Sequence, residues 1–453
     1  MSRIKIDVEP VLRGFWERLQ TKVCVLEQEL LPRSAGYLEG ILPCGRWLVI
    51  VDAITHKIAG EVVVASLDAA GISNALYVIE AAEGEEVPVA DDRKAGALRD
   101  HLRASAEVVA CIAVGAGTIN DIVKMAAYQA KIPYAVVATA PSMNGYTSGI
   151  AALLSEGVKT TQPCDPPLAC LVDLDVMARS PARMIASGFG DLLSKPVSNA
   201  DWRLGYRLND AGYSSDAMVL VEAGAALLEG VASKLPLRDV EAVGRLSASL
   251  CLSGMSMSLA GSSSPASGGE HLISHYIDMT HFAWGEGHDF HGCQVGVGTI
   301  TTAAMYERLA ALDPSSWDIE ERVNALPSWA SYEGVLRARF GSLYGAVESH
   351  AKQAFPTPAV LRERLTRLKN GWEDILADVQ STLRPALAIR EELLSAGCPV
   401  TFREIGVTDE RARRAVVYCK DIRARYTILH LAGELGLLDV WADDILRDLH
   451  GIG

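Results

Sequence analysis

The sequence predicts an α/β domain with a doubly wound parallel sheet, followed by a nearly all-α domain. Short β-branched runs alternate with helical stretches from about residue 45 to residue 175, and the strand pattern is lost after Pro181. A length of 453 residues also favours two domains over one core. We expect a helical extension over residues 1–40, an α/β domain over residues 41–180 and a helical domain over residues 181–453.

Continuous apolar runs predict the strands of the sheet, at residues 47–52, 75–80, 108–115, 134–140 and 168–175. Runs without polar alternation are typical of parallel strands that are covered on both faces. Helices are expected between them, at residues 59–70 and 119–130. Beyond Pro181 the periodicity is helical, which predicts the all-α domain.

Composition excludes several classes of protein. A net charge of -14 and the lack of a basic stripe argue against a nucleic-acid partner. The nine cysteines are dispersed without a CxxC pair, which favours a reducing, cytoplasmic location over a disulfide framework. Neither an apolar export segment at the start nor a membrane span is expected.

Residues 261–298 contain half of the ten histidines of the chain. His271 and His275 are four residues apart, which places them on one face of a helix, and His291 follows a glycine-rich loop. Imidazole is a common ligand of divalent metals, and catalytic sites typically use three protein ligands. The segment therefore indicates a metal site, with a polar helix whose histidines only form hydrogen bonds as the alternative.

A buried strand, a glycine turn and a helix follow one another from residue 108. Gly115 and Gly117 can let the backbone approach a ligand and adopt positive φ, and the helix beginning near Thr118 and Ile119 would direct its amides at a pyrophosphate. The third glycine of the GxGxxG dinucleotide pattern is replaced by Asn120. A tight strand-to-helix turn without a ligand is therefore the alternative.

Polar side chains follow two other predicted strands. Asp52 is suited to hydrogen bonding with ribose hydroxyls, which favours NAD over NADP, or to capping the next helix. After the strand at residues 134–140, the loop TAPSMNGYTSG offers short polar groups at the carboxyl edge of the sheet, where a cofactor or substrate is expected. These groups belong to Thr139, Ser142, Asn144 and Ser148.

Five motifs in order resemble the sn-glycerol-1-phosphate dehydrogenase family, namely GAGTINDIVK, PYAVVATAPSMNGYTS, GFGDLLSK, SGGEHLISH and HGCQVGVG. That family belongs to a wider group with glycerol dehydrogenase, iron-containing alcohol dehydrogenases and dehydroquinate synthase. The similarity runs from about residue 40 to residue 440. It implies an NAD(P)-binding α/β domain and a helical domain that carries one divalent metal.

Carried over by motif, the metal ligands would be Asp191, His271 and His291. One carboxylate and two imidazoles suit zinc first, and also nickel or iron(II). His275 would be a substrate-side or ligand-supporting group, for example in proton transfer. Asp191 has an alternative role as a carboxylate at a helix N-terminus.

The resemblance also assigns cofactor positions. Gly115, Gly117, Thr118 and Ile119 match the pyrophosphate loop of the family. Asp52 matches a carboxylate near the adenosine ribose, and Thr139, Ser142 and Ser148 match positions beside the nicotinamide. Lys124 follows on the helix of the loop, as either a solvated lysine or a cofactor contact.

Two departures from the family pattern fall on the substrate side. Asn144 replaces an aspartate that is expected to contact substrate hydroxyls, and Ser264 replaces an arginine, the residue suited to bidentate phosphate binding. These changes leave two alternatives. The substrate is another polyol, or a second cation such as Lys195 or Lys159 binds the phosphate.

The resemblance implies an enzyme that interconverts a secondary alcohol and a ketone on a small polyol or polyol phosphate, with NAD, or NADP, as cofactor. The metal would polarise the carbonyl oxygen, and His275 or water would exchange the proton. A dehydroquinate-synthase-like cyclase, which uses NAD within one turnover, and a non-catalytic nucleotide-binding descendant are the alternatives. Members of this group commonly associate, so a homo-oligomer is also expected.

Overall fold

The computed structural model describes residues 3–155 and 158–452. By their internal contacts the residues form two compact units. The first unit comprises Met1–Leu192 and Ser215–Ser263, and the second comprises Leu193–Ser214 and Ser264–Gly453. The chain therefore passes between the units at three places.

The strands lie in the first unit. They are β1 (Lys5–Ile6), β2 (Val23–Glu27), β3 (Arg46–Val51), β4 (Asn74–Val78), β5 (Val108–Gly115), β6 (Tyr134–Ala138), β7 (Ile150–Ser155), β8 (Val158–Pro163) and β9 (Ala169–Asp173). Seven of them form one sheet in the order β1-β2-β9-β6-β5-β3-β4, while β7 and β8 form an antiparallel hairpin. Within the larger sheet only the β1–β2 pair is antiparallel.

The sheet is buried on both faces, as the apolar runs predict. By strand register, one face carries Val49, Ile112, Val137 and Leu171, and the other carries Ile50, Ala113, Val136 and Cys170. All of these side chains are fully buried. The strand β3 pairs with β4 on one side and with β5 on the other, so the winding of the chain reverses between β3 and β5. Ligands of doubly wound sheets bind outside the carboxyl ends of the strands at such a reversal. The predicted α/β architecture is confirmed.

The helices are described in chain order. They are α1 (Glu9–Leu12), α2 (Ser34–Leu38), α3 (Ala53–Thr55), α4 (Glu61–Ala69), α5 (Asp92–Ala104), α6 (Gly117–Ala130), α7 (Leu174–Arg179), α8 (Ala182–Leu193), α9 (Lys195–Asn209), α10 (Ser215–Leu228), α11 (Val240–Ala260), α12 (Gly269–Trp284), α13 (His291–Ala310), α14 (Ile319–Asn324), α15 (Trp329–Phe340), α16 (Tyr344–Ala354), α17 (Pro358–Asn370), α18 (Trp372–Gln380), α19 (Ala386–Ser395), α20 (Asp409–Tyr418), α21 (Ile428–Glu434) and α22 (Leu438–His450). None of the helices in the described ranges combines the length and apolarity needed to cross a bilayer.

Three features differ from the sequence prediction. The described residues from 3 to 40 do not form the predicted helical extension, because β1 and β2 join the sheet and β2 pairs with β9. The hairpin of β7 and β8 was not predicted. The helices α10 and α11 also belong to the first unit, with the sheet, and not to the second unit with the later helices. On α11, Gly244 approaches Ile6 of β1 so closely that an added Cβ would lie 2.9 Å from its Cγ1.

In the second unit, α13 is buried along most of its length and packs with α12, α19 and α22. At one such contact, Thr301 Oγ1 lies 3.0 Å from His450 Nε2, and His450 is 3% exposed. This burial lowers the pKa of His450 from its usual value of 6.5 to about 4. Between about pH 4 and pH 6.5 this imidazole is therefore neutral in the native state and protonated in the unfolded chain.

We expect His450 to make the protein acid-labile. Because its folded pKa is depressed, its contribution to stability is present above pH 6.5 and is lost as the pH falls towards about 4. At pH 5 the loss should be about 2 kcal/mol. In urea denaturation, the free energy of unfolding of His450→Gln should fall by about 2 kcal/mol less between pH 7 and pH 5 than that of the unaltered protein. The exposed His101→Gln serves as the control, and an unchanged slope in His450→Gln would contradict the assignment.

Candidate functional site

The turn between β5 and α6 lies at the carboxyl edge of the sheet. The helix begins at Gly117, and its N-cap residue, Ala116, makes no side-chain capping bond to the first turn. Neither Gly115 nor Gly117 has positive φ, which corrects one reason offered for these glycines. The reason is close packing: a Cβ on Gly115 would lie 2.5 Å from Ile119 Cβ. Ile119 is buried, and Thr118 is half-buried at the start of the helix.

Asp52 follows β3, the strand next to β5. Its Oδ1 accepts hydrogen bonds from the amides of Ile54 and Thr55, at 2.8 and 2.7 Å, so the predicted capping role is present. Both of these bonds use the same oxygen. Capping therefore does not exclude a second role for Oδ2 of this half-buried carboxylate.

The loop after β6 carries the other predicted cofactor positions. The Thr139 amide donates to the Gly115 carbonyl at 3.2 Å, which joins this loop to the glycine turn. Ser148 Oγ lies 2.9 Å from the Gly145 carbonyl, and Lys124 Nζ donates to the same carbonyl at 2.6 Å. Both Ser148 and Lys124 thus support the backbone of the loop.

Lys124 is not solvated, contrary to one expectation for it, since its side chain is fully buried. Burial lowers the pKa of Lys124, and the nearby Asp121 carboxylate partly offsets this effect. Its ammonium also donates to the Ile150 carbonyl at 2.9 Å. The hydrogen bonds of this lysine therefore connect α6 to the loop.

Asp191 lies in the last turn of α8 and is fully buried. The alternative that it stabilises a helix N-terminus is therefore wrong, because the dipole at a C-terminal turn opposes a carboxylate. Asn144 compensates with two hydrogen bonds. Its backbone amide donates to Asp191 Oδ2 at 3.1 Å, and its Nδ2 donates to Oδ1 at 3.0 Å.

The loop that carries Asn144 packs closely on α8. Ser187 Oγ donates to the Ser142 carbonyl at 2.9 Å. A Cβ on Gly188 would overlap the Pro141 carbonyl, so only glycine permits this approach. The GFGD motif thus combines a small residue for contact with the loop and a carboxylate three residues later.

In the second unit, His271 lies in the first turn of α12 and is buried. Its Nδ1 lies 2.7 Å from Oε1 of Glu270, whose side chain is fully buried. The same Oε1 accepts from the Gly268 amide at 2.8 Å, so it is an acceptor, and we assign the proton of the imidazole to Nδ1. The lone pair of His271 is then on Nε2, as in metal-binding histidines that donate to a carboxylate.

His291 is the first residue of α13, and a chain of hydrogen bonds determines its tautomer. Gln294 Nε2 donates to Asp278 Oδ1 at 3.0 Å, so Gln294 Oε1 is an acceptor. Ser274 Oγ donates to that Oε1 at 3.1 Å, which uses its only proton. It must therefore accept from His291 Nδ1, 3.0 Å away, and the lone pair of His291 is also on Nε2.

The three histidines predicted from the sequence lie together in the second unit. The ring centroids of His271 and His291 are 5.2 Å apart, and those of His275 and His291 are 5.4 Å apart. His275, Asp278 and His291 also offer ligand atoms that lie within 4.8 Å of one another. Asp278 was not predicted, although it is three residues after His275 on α12.

Ser264 begins a 3₁₀ turn that leads towards α12. Lys195 Nζ donates to the Ala266 carbonyl in this turn at 3.1 Å, and Arg425 donates to the next carbonyl, that of Ser267. Lys159, the other cation considered for phosphate, lies on β8 of the first unit. The structure therefore associates Lys195 and Arg425 with the Ser264 turn.

Sequence reasoning missed several supporting residues. Glu270, Ser274 and Gln294 determine the histidine tautomers, and Asp201 holds the start of α12 by accepting from the Gly269 amide at 2.7 Å. Glu270 was detectable as the neighbour of His271 in GGEH. The others act through contacts between helices that spacing does not reveal.

The first unit also contains a cleft of about 790 Å³. It is lined by residues such as Lys22, Tyr134 and Leu168, at the amino ends of β2, β6 and β9. None of the predicted site residues lines it. Its position at the opposite edge of the sheet argues against a cofactor there.

Comparison with known proteins identifies the family. A family model described as iron-containing alcohol dehydrogenase matches residues 25–181. A relative from Bacillus subtilis (strain 168), named glycerol-1-phosphate dehydrogenase NAD(P)+, is 34% identical over 385 residues, which cover 82% of this chain and 96% of the relative. This chain belongs to the glycerol-1-phosphate dehydrogenase family. A family member of the same name from Thermofilum pendens is 30% identical, with 86% of each chain covered.

Solved structures agree on the fold. A probable glycerol dehydrogenase from Sinorhizobium meliloti 1021 matches with a TM-score of 0.59 and 16% identity, over 92% of this chain and 96% of the other. The glycerol dehydrogenase of Schizosaccharomyces pombe matches with a TM-score of 0.59 and 17% identity, over 93% and 89% of the two chains. The predicted family and oxidoreductase class are confirmed, and the dehydrogenase interpretation is supported over the cyclase. NAD(P) and a metal are expected for this family.

Proposed function

We propose that this protein is a metal-dependent, NAD(P)-linked dehydrogenase that interconverts sn-glycerol 1-phosphate, or a closely related polyol phosphate, and the corresponding ketone. The observation that carries the proposal is the hydrogen bonding of His271 and His291, which leaves the lone pair of each imidazole on Nε2. The names of relatives that cover most of the chain support the substrate class.

Asp191, His271 and His291 are proposed as the metal ligands, because they offer one carboxylate and two imidazoles. Asp191 lies next to the point where the chain enters the second unit at Leu193. Zinc suits this donor set first, and nickel and iron(II) are also compatible. When bound, such a cation supplies Lewis acidity towards the oxygen of a ketone. The buried Glu270 and Ser274 hold the two imidazoles in the ligand tautomer.

The carboxyl edge of the sheet is proposed as the cofactor site. The start of α6, at Gly117, Thr118 and Ile119, presents backbone amides suited to a pyrophosphate, and Gly115 lets the turn pack closely. Asp52 Oδ2 is suited to the adenosine ribose. The loop with Thr139, Ser142 and Ser148 is proposed to lie on the nicotinamide side.

For the substrate, Lys195 and Arg425 bring two cations to the turn that begins at Ser264. We place the phosphate of the substrate there, since guanidinium and ammonium groups together complement a phosphate dianion. His275, stacked on His291, is proposed to exchange the proton of the substrate oxygen.

The test is a purified enzyme assay with defined metal content. Metal-depleted protein is reloaded with Zn²⁺, Ni²⁺ or Fe²⁺, and NADH absorbance is followed with dihydroxyacetone phosphate and with uncharged dihydroxyacetone. We expect net NADH consumption that depends on metal and is faster with the phosphorylated ketone. Net consumption of NADH separates this function from a cyclase, which regenerates its cofactor. Full metal loading without NADH consumption on a ketone panel would contradict the proposal.

The cofactor assignment predicts the effect of Asp52→Ser. Serine keeps the helix cap but removes the carboxylate, so the melting temperature should be retained while the KM for NAD rises about tenfold. The KM for NADP should change less, because the carboxylate repels a 2′-phosphate. Steady-state kinetics with both cofactors measure this, with the exposed Glu61→Ala as the control. Equal changes in the KM for NAD and the KM for NADP would contradict a contact between Asp52 and the ribose.

Two further expectations remain predictions. The cysteines of the described chain are free thiols, which is compatible with the cytoplasmic location predicted from the sequence. A homo-oligomer is expected by analogy with the wider group, and light scattering of the purified protein would measure it.

A further inference from the structure

Asn144 holds both oxygens of a single buried carboxylate. Its backbone amide donates to Asp191 Oδ2 at 3.1 Å, and its side-chain amide donates to Oδ1 at 3.0 Å. One residue therefore fixes the plane of the carboxylate, because rotation about the Cβ–Cγ bond of Asp191 would break both bonds. Each carboxylate oxygen has two lone pairs, and each of these two bonds uses one of them.

The position of Asn144 is itself constrained by the loop. Thr147 Oγ1 donates to the Cys251 carbonyl on α11 at 2.7 Å, and Tyr146 OH donates to the Ala140 carbonyl at 2.7 Å. Ser187 on α8 bonds to the Ser142 carbonyl on the other side of Asn144. These bonds hold the donor in place relative to Asp191.

The chemistry of the side chain matters at this place. Asp191 is fully buried in the last turn of a helix, so the groups around its carboxylate determine its orientation. An amide supplies a donor without adding charge. An aspartate at residue 144 would instead place a second carboxylate about 3 Å away, as the Asn144–Asp191 distance shows.

We infer that Asn144 is a positioning residue that orients the Asp191 carboxylate for metal binding, rather than a contact for substrate hydroxyls. This inference rests on the proposed function, in which Asp191 is a metal ligand. Groups that hydrogen-bond to a metal ligand commonly change metal affinity by 10- to 100-fold when removed.

The experiment is a calorimetric titration of the metal-depleted full-length protein with Zn²⁺. Asn144→Ala should raise the Kd for Zn²⁺ by about 10- to 100-fold. Its turnover should be recovered at saturating Zn²⁺ with the KM for the ketone within about twofold of the unaltered protein. Asn74→Ala is the matched control, because Asn74 Nδ2 donates to the Asp68 carboxylate at 2.8 Å on the exposed surface of the same unit.

The outcomes separate this inference from the proposed function. If Asp191→Ala abolishes Zn²⁺ binding and Asn144→Ala leaves the Kd unchanged, the positioning role is wrong and the metal site stands. If Asp191→Ala binds Zn²⁺ normally, the metal assignment fails instead. A ketone KM that stays raised in Asn144→Ala at saturating Zn²⁺ would assign residue 144 to the substrate and overturn the inference. Should Asn144→Ala fail to fold, Asn144→Leu removes the side-chain donor and keeps a branched side chain with the same number of heavy atoms.

Discussion

Replacement of His271 by alanine should abolish stoichiometric metal binding and reduce turnover at least about a thousandfold. The expected loss is large because His271 is one of only two proposed imidazole ligands, and the Lewis acidity of a bound cation contributes several kcal/mol to the reaction. Elemental analysis of the purified variant measures the metal, and NADH consumption with dihydroxyacetone phosphate measures the turnover.

His281→Ala is the matched control for this prediction. His281 lies on the same helix α12 but in its last turn, where its Nδ1 lies 2.6 Å from the Glu286 carbonyl. Metal content and turnover should be retained in this variant. A His271→Ala protein that lacks metal and still consumes NADH at the original rate would contradict the metal-assisted mechanism.

Asp201→Ala should destabilise the protein by about 3–5 kcal/mol. The carboxylate of Asp201 accepts hydrogen bonds from the Gly269 amide, the Ile428 amide and Tyr306 OH, at 2.7, 2.7 and 2.6 Å. It thereby fixes the starts of α12 and α21. Burial, and then the charge of Glu270, raise the pKa of Asp201 to about 7. Alanine would leave three buried donors without their acceptor.

Urea denaturation with tryptophan fluorescence measures this loss. Tyr306→Phe, which removes one donor and leaves the carboxylate in place, should cost only about 1 kcal/mol. If the free energy of unfolding falls by only about 1 kcal/mol in both variants, Asp201 does not hold the two helices. A loss of metal affinity in Asp201→Ala protein that remains folded would further indicate that the start of α12 positions His271.

Strands with an uninterrupted apolar run were predictable from the sequence. The run before Gly115 is buried on both faces of the sheet, so almost every residue in it is apolar and indicates a buried strand. The strand β2 was missed because Val23–Glu27 lies within the stretch FWERLQTKVCVLEQELL, which was interpreted as helical. Its pairing with β9, about 145 residues later in the chain, is a tertiary contact that local periodicity does not encode.

The candidate site shows the same division between local and tertiary information. His271, His275 and His291 were found because histidines are concentrated in one segment. The hydrogen-bond partners that orient Asp191 and His291 were not assigned, since Asn144 and Ser274 reach these residues across 47 and 17 residues of chain. Asn144 was recognised as a polar group of the loop and as a departure from the family pattern, and its partner became evident from the fold.

The discontinuous make-up of the sheet-containing unit limits how this protein can be divided. A fragment that ends near residue 180 would lack α10 and α11, and with them the surface that Gly244 presents to Ile6. Such a fragment should expose apolar area and aggregate instead of binding nucleotide. To isolate the sheet-containing unit, residues 215–263 would have to be joined to the first segment by a designed linker.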